Sequence, residues 1–306
     1  MNTSAANARL PSFPELSQYD QKADSETPTL KAIHRDSYPR RGEVLVAIPV
    51  FNEARYVDSV LREVQRYAQD ILVVNDGSTD GTAAVLARHR DIRLISHTRN
   101  LGYGRSLIDA FDFAAANGFD WVITIDCDHQ HEPSCIPQFQ KEIEKDDADI
   151  ISGSRYLRLK NTGTAKPPLE RIVINRKITN LLNQALGIKL TDAFCGFKAY
   201  RTQAIVKLKL SEAGYAIPLQ LWVRAGRAGL IIREIPVPLI YHNPQRNFAG
   251  RLEDPQFRLR YYLDVIEREL GRDVGRDLKH CFDSCKAGHG LSETPPRAVD
   301  LPAAGQ

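Results

Sequence analysis

Short apolar runs that alternate with segments of helical periodicity constrain this chain more than any other feature. Val44 to Val50 (VLVAIPV) reads as a strand, and Val57, Val60, Leu61 and Val64 then recur at helical spacing within a helix expected over 53–67. Ile71 to Val74 is a second strand, followed by a helix from Thr82 to His89 and a third strand from Ile92 to Ile95. A helix from Ser106 to Asn117 leads into the apolar run that starts at Trp121. Strands alternating with helices of this length imply an α/β chain with a parallel sheet wound in the right-handed sense. Runs without polar interruption are strands buried on both faces. Further on, Ile150 to Gly153 reads as a strand, Arg171 to Leu186 and Pro218 to Ala228 as helices, Ile231 to Tyr241 as extended and Gln256 to Leu270 as a helix.

The ends of the chain differ from its centre. Residues 1–41 are rich in Ser, Ala, Asp and Pro without apolar periodicity and are expected to form a structureless lead-in. Residues 42–250 make the catalytic domain, 251–285 an amphipathic helical segment and 286–306 a tail without structure. The formal net charge of +3 is too small to argue for nucleic acid as a partner. Five cysteines, an odd and scattered number, do not make a disulfide framework and fit a reducing cytoplasm. No stretch approaches the ~20 apolar residues of a membrane span, so work at a membrane would be done from its inner face, with a peripheral contact or a separate membrane partner.

Three loops follow consecutive strands and so meet at one rim, where open α/β sheets place ligands. Asn52 and Glu53 follow the first strand and either cap a helix or bind ribose hydroxyls and a base edge. The second loop is Asn75-Asp76-Gly77-Ser78-Thr79-Asp80-Gly81. Its Asp76 offers acceptors to a nucleobase or forms an Asx turn into the next helix. In the third, Asn100-Leu101-Gly102-Tyr103-Gly104-Arg105, the backbone at Gly104 and the guanidinium of Arg105 are placed to reach a nucleotide. The run from Trp121 ends in Asp126-Cys127-Asp128. Two hard oxygen donors there suit Mg²⁺ or Mn²⁺, and a helix cap for the turn at Pro133 is the other role open to them.

Taken in order, Pro49-x-x-Asn52-Glu53, Asn75-Asp76-Gly77-Ser78-x-Asp80-Gly81, Asn100-x-Gly102-x-Gly104 and Asp126-x-Asp128 resemble the family 2 glycosyltransferases. Gln130-x-x-Pro133, Gly153-Ser154-Arg155-Tyr156 and Thr191-Asp192-x-x-Cys195-Gly196-Phe197 continue the likeness over about residues 43 to 250, closest to the dolichol-phosphate or polyprenol-phosphate mannosyl- and glucosyltransferase branch. The resemblance implies a GT-A nucleotide-diphosphosugar fold. It assigns Pro49, Asn52, Glu53 and Asp76 to the nucleoside of a nucleotide sugar, GDP-mannose or UDP-glucose. It assigns Asp126 and Asp128 to a divalent ion and, through it, to the donor diphosphate. The implied acceptor is a polyprenyl phosphate. In that branch an Arg and a Ser four residues later hold the acceptor phosphate, and this chain has Arg171 and Asn175 at the same spacing.

A hydroxyl acceptor needs a carboxylate base, whereas a lipid phosphate is already ionised and needs cations. Arg155 and Arg171 are the candidate cations, a solvated face being the other role open to them, and Asp192 is the candidate base for a hydroxyl acceptor or else orders the Cys195-Gly196-Phe197 turn by hydrogen bonding. Two departures from the branch stand out. Gln220 replaces a usual Glu, and the basic loop that closes over the diphosphate reads Arg246-Asn247-Phe248-Ala249-Gly250-Arg251, with Arg246 and Arg251 as its cations. The helix from Gln256 to Leu270 mixes apolar and Arg residues, and docking on the sheet is expected ahead of lying on an anionic bilayer. His280, Cys281, Cys285 and His289 are metal-competent but lack a second Cys pair for a structural zinc pattern.

Overall fold

A computed structural model of the chain describes residues 29–31, 43–157, 168–240 and 250–271. Its strands in chain order are β1 (Thr29–Lys31), β2 (Val44–Val50), β3 (Ile71–Asn75), β4 (Arg93–Ser96), β5 (Trp121–Thr124), β6 (Ile150–Ser154), β7 (Lys198–Arg201) and β8 (Ile232–Pro236). The helices are α1 (Val57–Val64), α2 (Thr82–Leu86), α3 (Tyr103–Ala116), α4 (Ile136–Ile143), α5 (Leu169–Leu186), α6 (Thr202–Lys207), α7 (Ile217–Arg227) and α8 (Pro255–Leu270). All eight strands form one sheet in the order β1-β4-β3-β2-β5-β7-β6-β8. The pairs β2–β3, β3–β4, β2–β5 and β6–β8 are parallel. The mostly parallel wound sheet expected from the alternating pattern is therefore present.

The uninterrupted apolar runs have a plain cause. Alternate side chains of a strand point to opposite faces, and both faces are covered. Leu45 and Ala47 of β2 join a core layer with α3, α5, α7 and α8, while Val46, Ile48 and Val50 join a second layer with α1 and α4. Fully burying one such aliphatic side chain contributes about 1.5–3 kcal/mol. No helix among the described residues is long and apolar enough to cross a membrane.

Three features differ from the sequence reading. β7 was not signalled by any apolar run, because it contains a buried lysine, Lys198, and only four residues. It runs antiparallel to both β5 and β6, with Thr124 opposite Lys198 and Trp121 opposite Arg201. The stretch of 1–41 expected to lack structure contributes β1, whose backbone pairs antiparallel with β4 at the sheet edge. The remainder of 1–41 lies outside the described residues, as do the tail and the His280, Cys281, Cys285 and His289 group. The extended segment from Ile231 is shorter than expected: β8 ends at Pro236, and Pro236 and Pro238 lack the N–H that a ladder needs. The last helix docks on the sheet, as expected. Tyr262, Leu263, Val265, Ile266 and Leu270 of α8 sit in the same apolar cluster as the sheet.

Candidate functional site

The carboxyl ends of β2 and β3 carry the first two predicted loops, and backbone hydrogen bonds to side chains join them into one surface. Asn52 adopts a left-handed backbone (φ 56°), and its N–H donates to Ser78 Oγ at 3.0 Å. The Thr79 N–H donates to Asn52 Oδ1 at 2.8 Å, and the Ala54 N–H donates to Asp80 Oδ2 at 3.1 Å. Asn52 thus fastens one loop to the other, a task the sequence did not assign to it. Pro49 lies inside β2 opposite Val74, and Glu53 follows at the rim, its N–H donating to Thr82 Oγ1 at 2.9 Å. Gly77 (φ 65°) sits so close to Arg99 that a Cβ would lie 2.2 Å from its carbonyl carbon.

Asp76 is buried and saturated from within. Its Oδ1 accepts from the Leu101 N–H and from His97 Nδ1, each at 2.7 Å, and its Oδ2 accepts from the Gly102 N–H at 2.9 Å. The other ring nitrogen of His97, Nε2, bonds Asp109 Oδ2 at 2.8 Å, and the Arg105 guanidinium pairs with Asp109. Burial opposes charge on His97, but the flanking Asp109 and Asp76 outweigh it and raise its pKa to about 9. Asp76, His97, Asp109 and Arg105 therefore form an alternating charge row that braces the loop at 99–102. Arg105, predicted to reach a nucleotide, is spent on Asp109. Gly104 serves close packing: a Cβ there would lie 2.1 Å from the Glu212 carbonyl oxygen.

Asp126 and Asp128 stand at the end of β5, and both are partly open to solvent. Three neighbours orient Asp126. The Tyr103 hydroxyl donates to its Oδ1 at 2.9 Å, and its own N–H donates to His131 Nδ1 at 3.0 Å. The third neighbour is a glycine. A Cβ at Gly196 would lie 2.4 Å from Asp126 Oδ2, so the carboxylate occupies space that only glycine leaves. His131 is buried, and that burial lowers its pKa to about 4, so a neutral ring accepts the Asp126 N–H. Asp128 Oδ1 accepts the Gln130 N–H at 3.0 Å in an Asx turn. Turn formation and an ion-binding carboxylate are compatible, because one oxygen serves the turn. Among the described residues no three of His, Cys, Asp and Glu are grouped to cage a metal. Two partly exposed hard oxygen donors suit an ion that completes its shell with water and phosphate, as Mg²⁺ and Mn²⁺ do.

The acceptor-side residues tell a different story. Asp192 is fully buried, and Arg155 grips it in a fork, with Nε 2.7 Å from Oδ2 and Nη2 2.9 Å from Oδ1. Asn175 Nδ2 donates to Asp192 Oδ1 at 2.8 Å, and the Phe194 N–H donates to the same oxygen at 3.1 Å. Burial alone would raise the pKa of this carboxyl, but Arg155 and Asn175 hold it far below the usual carboxylate range. Three residues that the sequence read as a base and two phosphate ligands therefore form one closed network. Asp192 is a poor base, and the charge of Arg155 is already matched. Arg171 sits in the first turn of α5, one turn before Asn175 on the same face. Arg246 and the side chain of Arg251 lie outside the described residues.

Two parts of the site had no signal in the sequence reading. Tyr103 was treated as a spacer between glycines, yet its hydroxyl reaches Asp126 and its ring stacks on Tyr215 with centroids 5.7 Å apart. Lys198 is buried behind the rim, where its ammonium donates to the Cys195 carbonyl and lies 5.4 Å over the Trp222 ring. Burial lowers its pKa. Gln220 replaces the branch's Glu for a visible reason: its Nε2 donates to Glu269 Oε1 at 2.6 Å, a partner that a second carboxylate would repel.

The sequence and the fold match known proteins. The family model for glycosyl transferase family 2 matches residues 45–208. Polyprenol monophosphomannose synthase of Mycolicibacterium smegmatis is 29% identical over 204 residues, covering 63% of this chain and 76% of that protein. Undecaprenyl-phosphate mannosyltransferase of Micrococcus luteus is 27% identical over 206 residues, covering 64% and 83%. Among solved structures, glucosyl-3-phosphoglycerate synthase of Mycobacterium tuberculosis, in complex with Mn²⁺, UDP and glucosyl-3-phosphoglycerate, superposes with a TM-score of 0.57 at 18% identity. That match covers 75% of this chain and 80% of the other, and it supports the GT-A fold.

Proposed function

The chain belongs to glycosyl transferase family 2, and we propose that it moves a hexose from a nucleotide sugar to a polyprenyl phosphate with inversion at the anomeric carbon. Donor and metal are assigned to the rim of β2, β3 and β5. Asp126 and Asp128 hold a divalent ion, Mg²⁺ or Mn²⁺, which when bound neutralises charge on the departing nucleoside diphosphate. Pro49, Glu53 and the braced loop at 99–102 form the nucleoside side of the rim. Tyr103 and Gly196 fix the direction of the Asp126 carboxylate. An acceptor phosphate oxygen attacks the anomeric carbon, and the bond to the diphosphate oxygen breaks with its electron pair leaving on the diphosphate. Positioning and electrostatics supply the rate enhancement.

The state of Asp192 carries the choice of acceptor. A hydroxyl must give up a proton, and this carboxylate is buried, doubly held by Arg155 and held in its ionised form far below neutral pH. A phosphate monoester needs no base. Arg171 at the start of α5 is the cation we assign to it. Leu157 and Leu169, exposed at 40% and 67%, stand at the ends of β6 and α5 on this side and suit a lipid acceptor at a membrane surface. The names of the mannosyltransferase relatives point the same way.

The test uses the full chain with Mn²⁺ and labelled GDP-mannose or UDP-glucose, offered polyprenyl phosphate, 3-phosphoglycerate or a free sugar as acceptor. Label is expected in a lipid product with one donor, and EDTA is expected to stop it. Label in phosphoglycerate or in a glycan, with none in lipid, would overturn the acceptor assignment. No transfer to any acceptor and no affinity for either donor would overturn the activity.

A further inference from the structure

We infer that α8 is a positioning element for the carboxylate rim, acting through Tyr261, Arg268 and the loop at 211–216. This inference rests on the reading that Asp126 belongs to the active site, and it assigns that site a dependence on the far end of the described chain.

The connection is continuous and each link is short. The Tyr261 hydroxyl donates to Glu212 Oε1 at 2.6 Å, and Arg268 Nη2 donates to Glu212 Oε2 at 2.7 Å. The same carboxylate accepts the Gly214 N–H at 3.2 Å, so a side chain pinned by α8 in turn folds the loop around itself. Gln220 Oε1 accepts the N–H groups of Ser211 and Glu212 at 2.7 and 2.8 Å, and its other end is held by Glu269 of α8. The loop then grips α3: the Ala213 carbonyl accepts the Gly104 N–H at 2.7 Å. Any Cβ at Gly102 or Gly104 would lie within 2.3 Å of a loop carbonyl oxygen. Tyr215 stacks on Tyr103, and Tyr103 donates to Asp126. Hydrogen bonds to ionised groups are the stronger kind, and two of them hold Glu212 where its side chain is only 11% exposed. A 1 Å error in a positioned group is enough to slow a reaction markedly.

The test compares the full-length wild type with Tyr261→Phe, Arg268→Met, Tyr103→Phe and the double variant of Tyr261 and Tyr103, using Mn²⁺ and whichever of GDP-mannose and UDP-glucose the wild type uses. Tyr261→Phe keeps the ring in the core and removes only the hydroxyl. Its expected effect is a fall in kcat of about tenfold, with the donor KM within about twofold and the Tm within a few degrees. In the Tyr103→Phe background the same change is expected to have no further effect, because the path to Asp126 is already cut. Arg268→Met, at a half-exposed position, loses the same carboxylate partner and serves if the tyrosine variant fails to fold. Unchanged kcat in both Tyr261→Phe and Arg268→Met, or effects that multiply in the double variant, would overturn the inference alone. A wild type without metal-dependent donor affinity or transfer would overturn the active-site reading and this inference with it.

Discussion

Asp126 and Asp192 are both aspartates beside the reversed strand β7, yet their surroundings give them opposite properties. Asp126 is about 30% exposed in its side chain and is oriented by one hydroxyl and by the space left at Gly196. Asp192 has no exposure and is bound by a guanidinium fork, an amide and two backbone N–H groups. The first is the carboxylate we propose for an ion, and the second is consumed by the fold. Residue type alone does not separate a ligand from a brace. Full burial under a guanidinium fork marks the brace.

Breaking this contrast at Asp126 should have the largest effect. Asp126→Ala is expected to lower transfer by about 10²–10³-fold while the Tm stays near wild type, since a half-open carboxylate leaves little uncompensated behind. Transfer and thermal melting measured together check both halves. At Asp192 the order should invert. Asp192→Ala strands a partly buried guanidinium, 21% exposed in its side chain, and is expected to lower stability by about 3 kcal/mol in urea titrations. Stability with wild-type values and transfer abolished would return Asp192 to the chemistry.

A smaller effect sharpens the contrast from the donor side. His97 gains protons on folding, its pKa rising from 6.5 to about 9. Its contribution is fully present below pH 6.5 and is lost as pH rises through 9, amounting to about 3 kcal/mol at most. Wild-type stability should fall over that window, and His97→Gln should flatten the fall. A slope unchanged in the variant would remove His97 as the cause. The smallest effect is expected for Arg105→Ala, below about 1 kcal/mol in the same titration, because the arginine side chain is 42% exposed and Asp109 keeps its bond to His97.

The fold and the candidate site were not equally legible in the sequence. The strands of the first half announced themselves because both faces are covered, which selects apolar residues along β2 and over Ile71–Val74 of β3. β7 was silent because four residues that begin with Lys198, end with Arg201 and run straight into a helix carry no period, and its reversed direction depends on neighbours remote in sequence. At the site, the Asp126-x-Asp128 pair could be placed at the rim from local pattern alone. The pairing of Arg155 with Asp192 joins residues 37 apart, and the bonds of Asn175 and His97 are likewise tertiary. Nothing in a window of neighbouring residues distinguishes a cation awaiting a ligand from one already matched. The Gln220 departure looked like a defect against the family pattern, and only Glu269, 49 residues later, explains it.

The reversal of β7 has a consequence for how such a molecule can change over time. A parallel neighbour would bring its exit to the rim, but β7 brings its entrance, so the segment 191–197 meets Asp126 from the opposite end of its strand. The rim is therefore assembled from two stretches of chain, one ending near residue 131 and the other beginning near residue 150, joined by the crossover that carries the chain from β5 past the place of β7 to β6. Drift or recombination in the second stretch can reshape one wall of the cleft while the other keeps its form. Gly196 is one point of contact between the two stretches, and a side chain gained there would be felt at once by Asp126 in the other.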